Sequence, residues 1–186
     1  MLLPVIALCG ALLLPAPQLT NQSDKVKPSL PWLPSRRLWR YLTSGLLLCA
    51  AIALLQYSFS PLIGALTDWP TGQISDAIGV LLTISAACTF VTQVMVIKKK
   101  RITPEQMYRL GSLLLLLGLA MFLVSQIWML TLAMVLAAAG AALLVPAYTS
   151  AATAQYADSP GAVAGYISMS HTIGYGLASL LAFTAT

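Results

Sequence analysis

Ile97-Lys98-Lys99-Lys100-Arg101-Ile102-Thr103-Pro104-Glu105 separates two apolar runs, one from Ser75 to Ile97 and the other continuing to Val124. A helix rises about 1.5 Å per residue, so roughly 20 apolar residues cross the ~30 Å hydrocarbon core of a bilayer. Both runs have that length. Four consecutive cations between them form a loop that cannot enter hydrocarbon, and Thr103, Pro104 and Glu105 carry the signs of a new helix start. Pro suits the first turn, where its missing N–H is not needed, and an acid suits the positive end of the helix dipole.

The same alternation extends in both directions. The remaining cations are Lys25 and Lys27, then Arg36, Arg37 and Arg40, with Arg109 just after the central cluster. Charged residues make up 8% of the chain and its mean hydropathy is +0.85. A soluble domain carries about 25% charged residues. Such a chain cannot build a polar surface in water, so the reading is an all-α polytopic membrane protein with the lipid bilayer as its surroundings. Net charge +5 does not indicate nucleic-acid binding here, because the cations sit in loops flanking apolar spans.

Met1 to Pro17 is apolar but has no cation before it, unlike a signal peptide. It is read as the tail of a membrane helix whose beginning is missing, ended by Pro15 and Pro17. Residues 18–37 form a Pro-rich, basic, cytoplasmic linker. Residues 38–186 then form a five-helix transmembrane bundle with helices at about 38–63, 75–97, 104–124, 129–149 and 162–186. Placing Arg36 in the cytoplasm puts the Lys98 cluster and Asp158 on the same side, and Asp68 and Trp128 outside. Every Lys and Arg of the loops then falls inside. The implied location is the bacterial inner membrane, with several passes.

The helices differ in polarity. The third, with Leu113 to Leu117, Leu119, Met121, Phe122 and Leu123, is nearly bare of polar groups and suits a lipid-facing position. In the first, Gly45, Cys49, Gln56 and Ser60 share a face. In the second, Ser85, Thr89 and Thr92 share one face, while Asp76, Thr83 and Gln93 lie nearer another. In the fifth, Ser168, His171, Tyr175 and Ala178 align. Gly161, Gly165 and Gly174 are candidate helix-packing positions, since small residues let helix backbones approach in lipid. Gln56, Gln93 and His171 are longer polar groups that need a partner or water within the membrane. With Tyr57, Tyr148 and Tyr175 they form the candidate substrate-binding set. Cys9, Cys49 and Cys88 have no ligand spacing and read as small apolar residues. No Ser-His-Asp set, paired carboxylates, H-E-x-x-H or phosphate-cradling loop is present, so neither an enzyme nor a cofactor is expected.

The order of features resembles the carboxy-terminal half of a major facilitator superfamily transporter. The matching elements are the basic Pro-rich loop, Arg36-Arg37-Leu38-Trp39-Arg40-Tyr41-Leu42 entering a helix, and the short basic Lys98 loop. They continue with Val145-Pro146-Ala147-Tyr148, Gly161-Ala162-Val163-Ala164-Gly165-Tyr166 and His171-Thr172-Ile173-Gly174-Tyr175-Gly176. The resemblance implies a twelve-helix carrier of two six-helix bundles around a central cavity, working by alternating access. Met1 to Pro17 would end the sixth helix, and the five complete helices would be the seventh to the eleventh, the bare one being the peripheral ninth. The partners implied are the missing amino-terminal half and a small-molecule substrate. The Lys98 loop lacks the Gly and Asp of the family's gating motif, and Ala178 and Ser179 stand where the eleventh helix often has Gly and Pro.

Tyr57, Met129, Met134, Tyr148, Tyr166 and Tyr175 offer adaptable apolar contacts, and no Lys or Arg is embedded in the membrane, Arg40 and Arg109 lying in the first turns of their spans. Efflux of hydrophobic or amphipathic compounds is therefore the expected function, with proton coupling through His171 as an added role. The alternatives are a membrane structural or interaction protein without transport, an inactive truncated product, and uptake of a neutral nutrient.

Overall fold

The computed structural model describes residues 36–98, 102–124, 126–157 and 159–184. The partial helix assigned to residues 1–17 and the linker up to residue 35 lie outside the described residues. All regular structure among the described residues is α-helical, in the order α1 (Arg36–Tyr57), α2 (Phe59–Leu66), α3 (Thr71–Lys98), α4 (Pro104–Met121), α5 (Ile127–Gln155) and α6 (Pro160–Thr184). Three stretches are long and apolar enough to cross a membrane: Arg36–Leu66, Thr71–Val96 and Ile127–Gln155. At 1.5 Å per residue each exceeds the roughly 30 Å of hydrocarbon. α4 is 18 residues long and spends its first turns on Glu105, Gln106 and Arg109. α6 has the length, 25 residues, but Ser168, Ser170, His171 and Thr172 dilute its apolar character.

Helix boundaries depart from the sequence expectation where local chemistry intervenes. Arg36 and Arg37 form the first turn of α1 rather than the end of a linker. The first span is not one helix ending at Ile63, but α1 and α2 on either side of Ser58, reaching Leu66. Pro61 is the cause. It has no N–H to give the Tyr57 carbonyl, and its ring crowds that carbonyl. The backbone passes through the break because Ser58 N–H donates to Leu54 O at 3.0 Å and Leu62 N–H to Ser58 O at 3.1 Å.

α4 starts where the sequence placed it, on a complete capping box. Thr103 Oγ1 accepts from the Gln106 amide at 3.3 Å, and Gln106 Oε1 accepts from the Thr103 amide at 3.2 Å. It stops at Met121 rather than Val124. Leu123 and Val124 donate to carbonyls three residues back, tightening the chain, and the Phe122 ring packs on Phe59 with centroids 6.0 Å apart. α5 runs to Gln155, six residues beyond the expected end at Thr149, and it continues through Pro146. The Thr149 hydroxyl donates to Val145 O at 2.7 Å and Thr153 to Thr149 O at 2.8 Å. Ala151, Ala152 and Ala154 are strong helix formers, which outweigh one proline.

α5 is the centre of the bundle, in contact with α1, α3, α4 and α6. Its register with each neighbour follows from close approaches. Gly111 of α4 faces Gly140, Leu143 and Leu144, whereas Gly118 faces Ala133 and Ala137, so α4 and α5 are antiparallel. On the other side Gly45 of α1 faces Ser170 and His171, and Leu46 and Cys49 face Gly174, so α1 and α6 run parallel. α3 also runs parallel to α5, with Leu81 clustered with Leu130 and the Cys88 thiol on the Val135 carbonyl.

Two apolar clusters occupy opposite ends. One joins Leu38, Leu42, Leu48, Leu144, Tyr148, Ala152, Val163 and Ile167; the other joins Leu55, Phe59, Ile63, Leu81, Leu130, Met134 and Ala137. The starts of α1, α4 and α6 and the ends of α3 and α5 therefore gather at one end. Arg36, Arg37, Arg40 and Arg109 belong to that end, and Asp68 and Trp69 to the other. α4 exposes Leu113, Leu116 and Leu117 and lays its glycine face on α5, but α3 is more exposed still, Leu81 being its one buried residue among those described.

Candidate functional site

α1, α4 and α5 enclose a cleft of about 1060 Å³ at the basic end of the bundle. Known ligand pockets span roughly 300–1,000 Å³, so this one holds a sizeable molecule. One wall comes from α1, where Arg37, Arg40, Tyr41 and Ser44 recur at helical spacing. The opposite wall is the start of α4, with Thr103, Glu105 and Tyr108. The floor is α5, through Ala147, Tyr148, Ala151 and Gln155. Alanines on the floor leave the space that larger side chains would fill.

Tyr148 links the cleft to the helix behind it. Its ring is buried in the bundle and reaches the cleft floor, and its hydroxyl lies 2.5 Å from His171 Nε2. The two rings meet edge to face at 87°. With the hydroxyl as donor, the imidazole is neutral and carries its proton on Nδ1. The pair bridges α5 and α6. His171 is held from a third side by Gly45, whose missing Cβ would lie 3.0 Å from the imidazole. A Cβ there would press on the imidazole and the Ser170 hydroxyl, which would have to shift by a few tenths of an ångström. Ser170, beside it, turns its hydroxyl back to the Ile167 carbonyl at 2.8 Å and takes no part in the pair.

The structure unites part of the candidate set. His171 and Tyr148 are hydrogen-bonded, and Tyr175 lies one turn further along α6, beside the Cys49 thiol. Gln56 lies elsewhere, on a second cavity of about 160 Å³ between α1, α3 and α5 that also has Ser85 and Thr89 on its wall. Tyr57 and Gln93 are exposed and line neither cavity.

The glycines singled out for packing fall in two groups. Gly161 and Gly165 are exposed, and a Cβ on either would meet nothing within 4 Å. They lie on the face of α6 turned away from α1, so within this chain they pack no helix. Gly174 does pack. Gly45, Gly111, Gly118 and Gly140 share that role, each with a neighbouring backbone or side chain at 3.0 Å or less from its missing Cβ. The spacing of Arg37, Arg40, Tyr41 and Ser44 was the available sign of the cleft wall, but the count of topogenic cations absorbed those residues. Tyr108 and Gln155 carried no sign, because they reach the cleft through helices far apart in sequence.

No protein family, curated protein or solved structure matches this chain.

Proposed function

We propose that the chain is part of a secondary carrier in a cell membrane, the bacterial inner membrane, and that it moves hydrophobic or amphipathic compounds outward by alternating access. The observation that carries this reading is the Tyr148–His171 hydrogen bond at the floor of an open cleft. A cleft opening at the basic end, taken as cytoplasmic by the positive-inside rule, gives a compound a route from that side to the middle of the bundle. Its floor ends on two polar groups that satisfy each other and can exchange that bond for one to a substrate. Two-sided exposure is favoured by the helix directions, since α1, α4 and α6 leave the basic end and α3 and α5 return to it. Five helices crossing in alternation, in the manner of the second half of a major facilitator carrier, fit those directions.

The proposal is tested by accumulation in cells with and without the intact gene product. A panel of lipophilic amphiphiles and neutral sugars is compared. Lower accumulation of amphiphiles in the expressing cells is the expected result. Sugar uptake with unchanged amphiphile levels would overturn the export reading.

A further inference from the structure

The cleft walls carry charge that the sequence did not place in the path of a substrate. Arg37 and Arg40 sit on consecutive turns of α1 and both line the cleft. Among the described residues the one ion pair joins Glu105 to Arg109, at 2.6 Å. Glu105, the single acidic group in the cleft lining, is thus paired with a cation outside that lining rather than with Arg37 or Arg40, and neither arginine has a carboxylate partner among the described residues. Thr43 and Ser44 do not compete for an anion, since their hydroxyls donate to the Trp39 and Arg40 carbonyls. Deeper in the cleft the lining turns to Tyr41, Tyr108, Ala147, Tyr148 and Ala151. The cations lie near the helix start, at the membrane–water boundary, and the aromatic and alanine lining extends inward from them.

We propose that the cleft binds a single-chain amphiphile with an anionic head group, the head on Arg37 and Arg40 and the chain over Ala147 and Ala151 toward Tyr148. This rests on the carrier reading and names its substrate class. Planar guanidinium groups match carboxylate and phosphate oxygens in pairs, so either head chemistry fits. A cationic amphiphile of the same chain length meets two like charges at the entrance and is rejected.

The test measures association, not transport. The full chain is reconstituted in phosphatidylcholine nanodiscs with spin-labelled stearate, a spin-labelled alkylammonium of equal chain length, or spin-labelled phosphatidylglycerol. The motionally restricted fraction reports binding. Stearate should exceed the alkylammonium. A cation at a membrane surface changes association by about fivefold, so Arg37→Gln alone should cost the acid about that, and Arg37→Gln with Arg40→Gln roughly thirtyfold. Arg37→Lys with Arg40→Lys should retain part of the preference, showing that charge rather than a folding defect is read. Preference for stearate over phosphatidylglycerol assigns the site to soluble amphiphiles, and equal preference assigns it to bilayer lipid as well. Equal binding of acid and amine, or a preference indifferent to both Gln substitutions, overturns the inference. Anion binding without any export would leave this site standing and defeat the carrier reading. Export indifferent to head-group charge would do the reverse.

Discussion

Replacing Gly174 by Ala tests the register of α1 against α6. A Cβ at this position would stand 2.5 Å from the Leu46 carbonyl oxygen and 3.1 Å from Cys49 Cβ. Ordinary contacts begin near 3.4 Å, so the helices must part by about 0.9 Å there, and the obstacle is backbone that cannot swing aside. A radial gap of about 0.5–1 Å already forfeits a quarter to a half of a dispersion contact. The seam between Leu38, Leu42 and Leu48 on one helix and Val163 and Ile167 on the other would weaken accordingly. Overpacking of this kind costs about 1–3 kcal/mol. Alanine's better helix propensity returns about 1 kcal/mol, leaving a net loss of about 0–2 kcal/mol against the parent and about 1–3 kcal/mol against a substitution that gains the propensity without the clash. For a chain of this size each kcal/mol moves Tm by about 2–4 °C. Gly165→Ala is the control, because its Cβ meets nothing and only the propensity gain remains. Thermal unfolding of the detergent-solubilised protein should show Gly174→Ala several degrees below Gly165→Ala. Equal Tm values, or the opposite order, would refute the parallel packing of α1 on α6.

Three further outcomes are expected. Tyr148→Phe keeps the ring but removes the bond to His171, which should cost about 0.6–1.7 kcal/mol for an interhelical bond in a membrane. His171→Ala should cut transport at unchanged membrane abundance while His171→Gln retains more, and normal transport by both variants from pH 6 to 8 would reduce His171 to a packing residue. Cysteines placed at Thr67 and at Lys99 in a background without Cys9, Cys49 and Cys88 should label oppositely with an impermeant thiol reagent. Equal labelling of both from outside would defeat the assigned sidedness.

Local chemistry made much of the helical order readable. The Thr103–Gln106 start of α4 follows from residues within one turn of each other, and α3 ends at the lysine run that no apolar span could hold. The sequence expectation closes the first and fourth spans two and three residues past a proline, at Ile63 and Thr149, whereas both stretches run on to Leu66 and Gln155. Pro61 in the first turn of α2 and Pro146 deep in α5 show that a proline ends a helix only when neighbouring residues fail to carry the backbone past it. Next to Pro61 the Ser58 backbone bonds do so, and after Pro146 the alanines and the Thr149 and Thr153 hydroxyls do.

The site was less legible because a glycine's role depends on the residue it meets, not on its spacing. Gly161 and Gly165 have the four-residue repeat of a packing motif and face open space, whereas Gly45 and Gly174 stand on different helices and jointly bring α1 onto α6. That approach puts Gly45 against the imidazole and leaves His171 facing Tyr148 of α5, so one close contact between distant segments assembles three helices around the polar pair. The same limit applied to charge. Arg37 and Arg40 read as topogenic because in sequence they border a span, and that role requires only that they stay on one side of the membrane. Whether they also face a cleft depends on α4 starting opposite them, and that position follows from the fit of Gly111 and Gly118 on α5. A cation that orients a helix and a cation that selects a ligand can be one residue, and the packing of a neighbouring helix decides whether it does both.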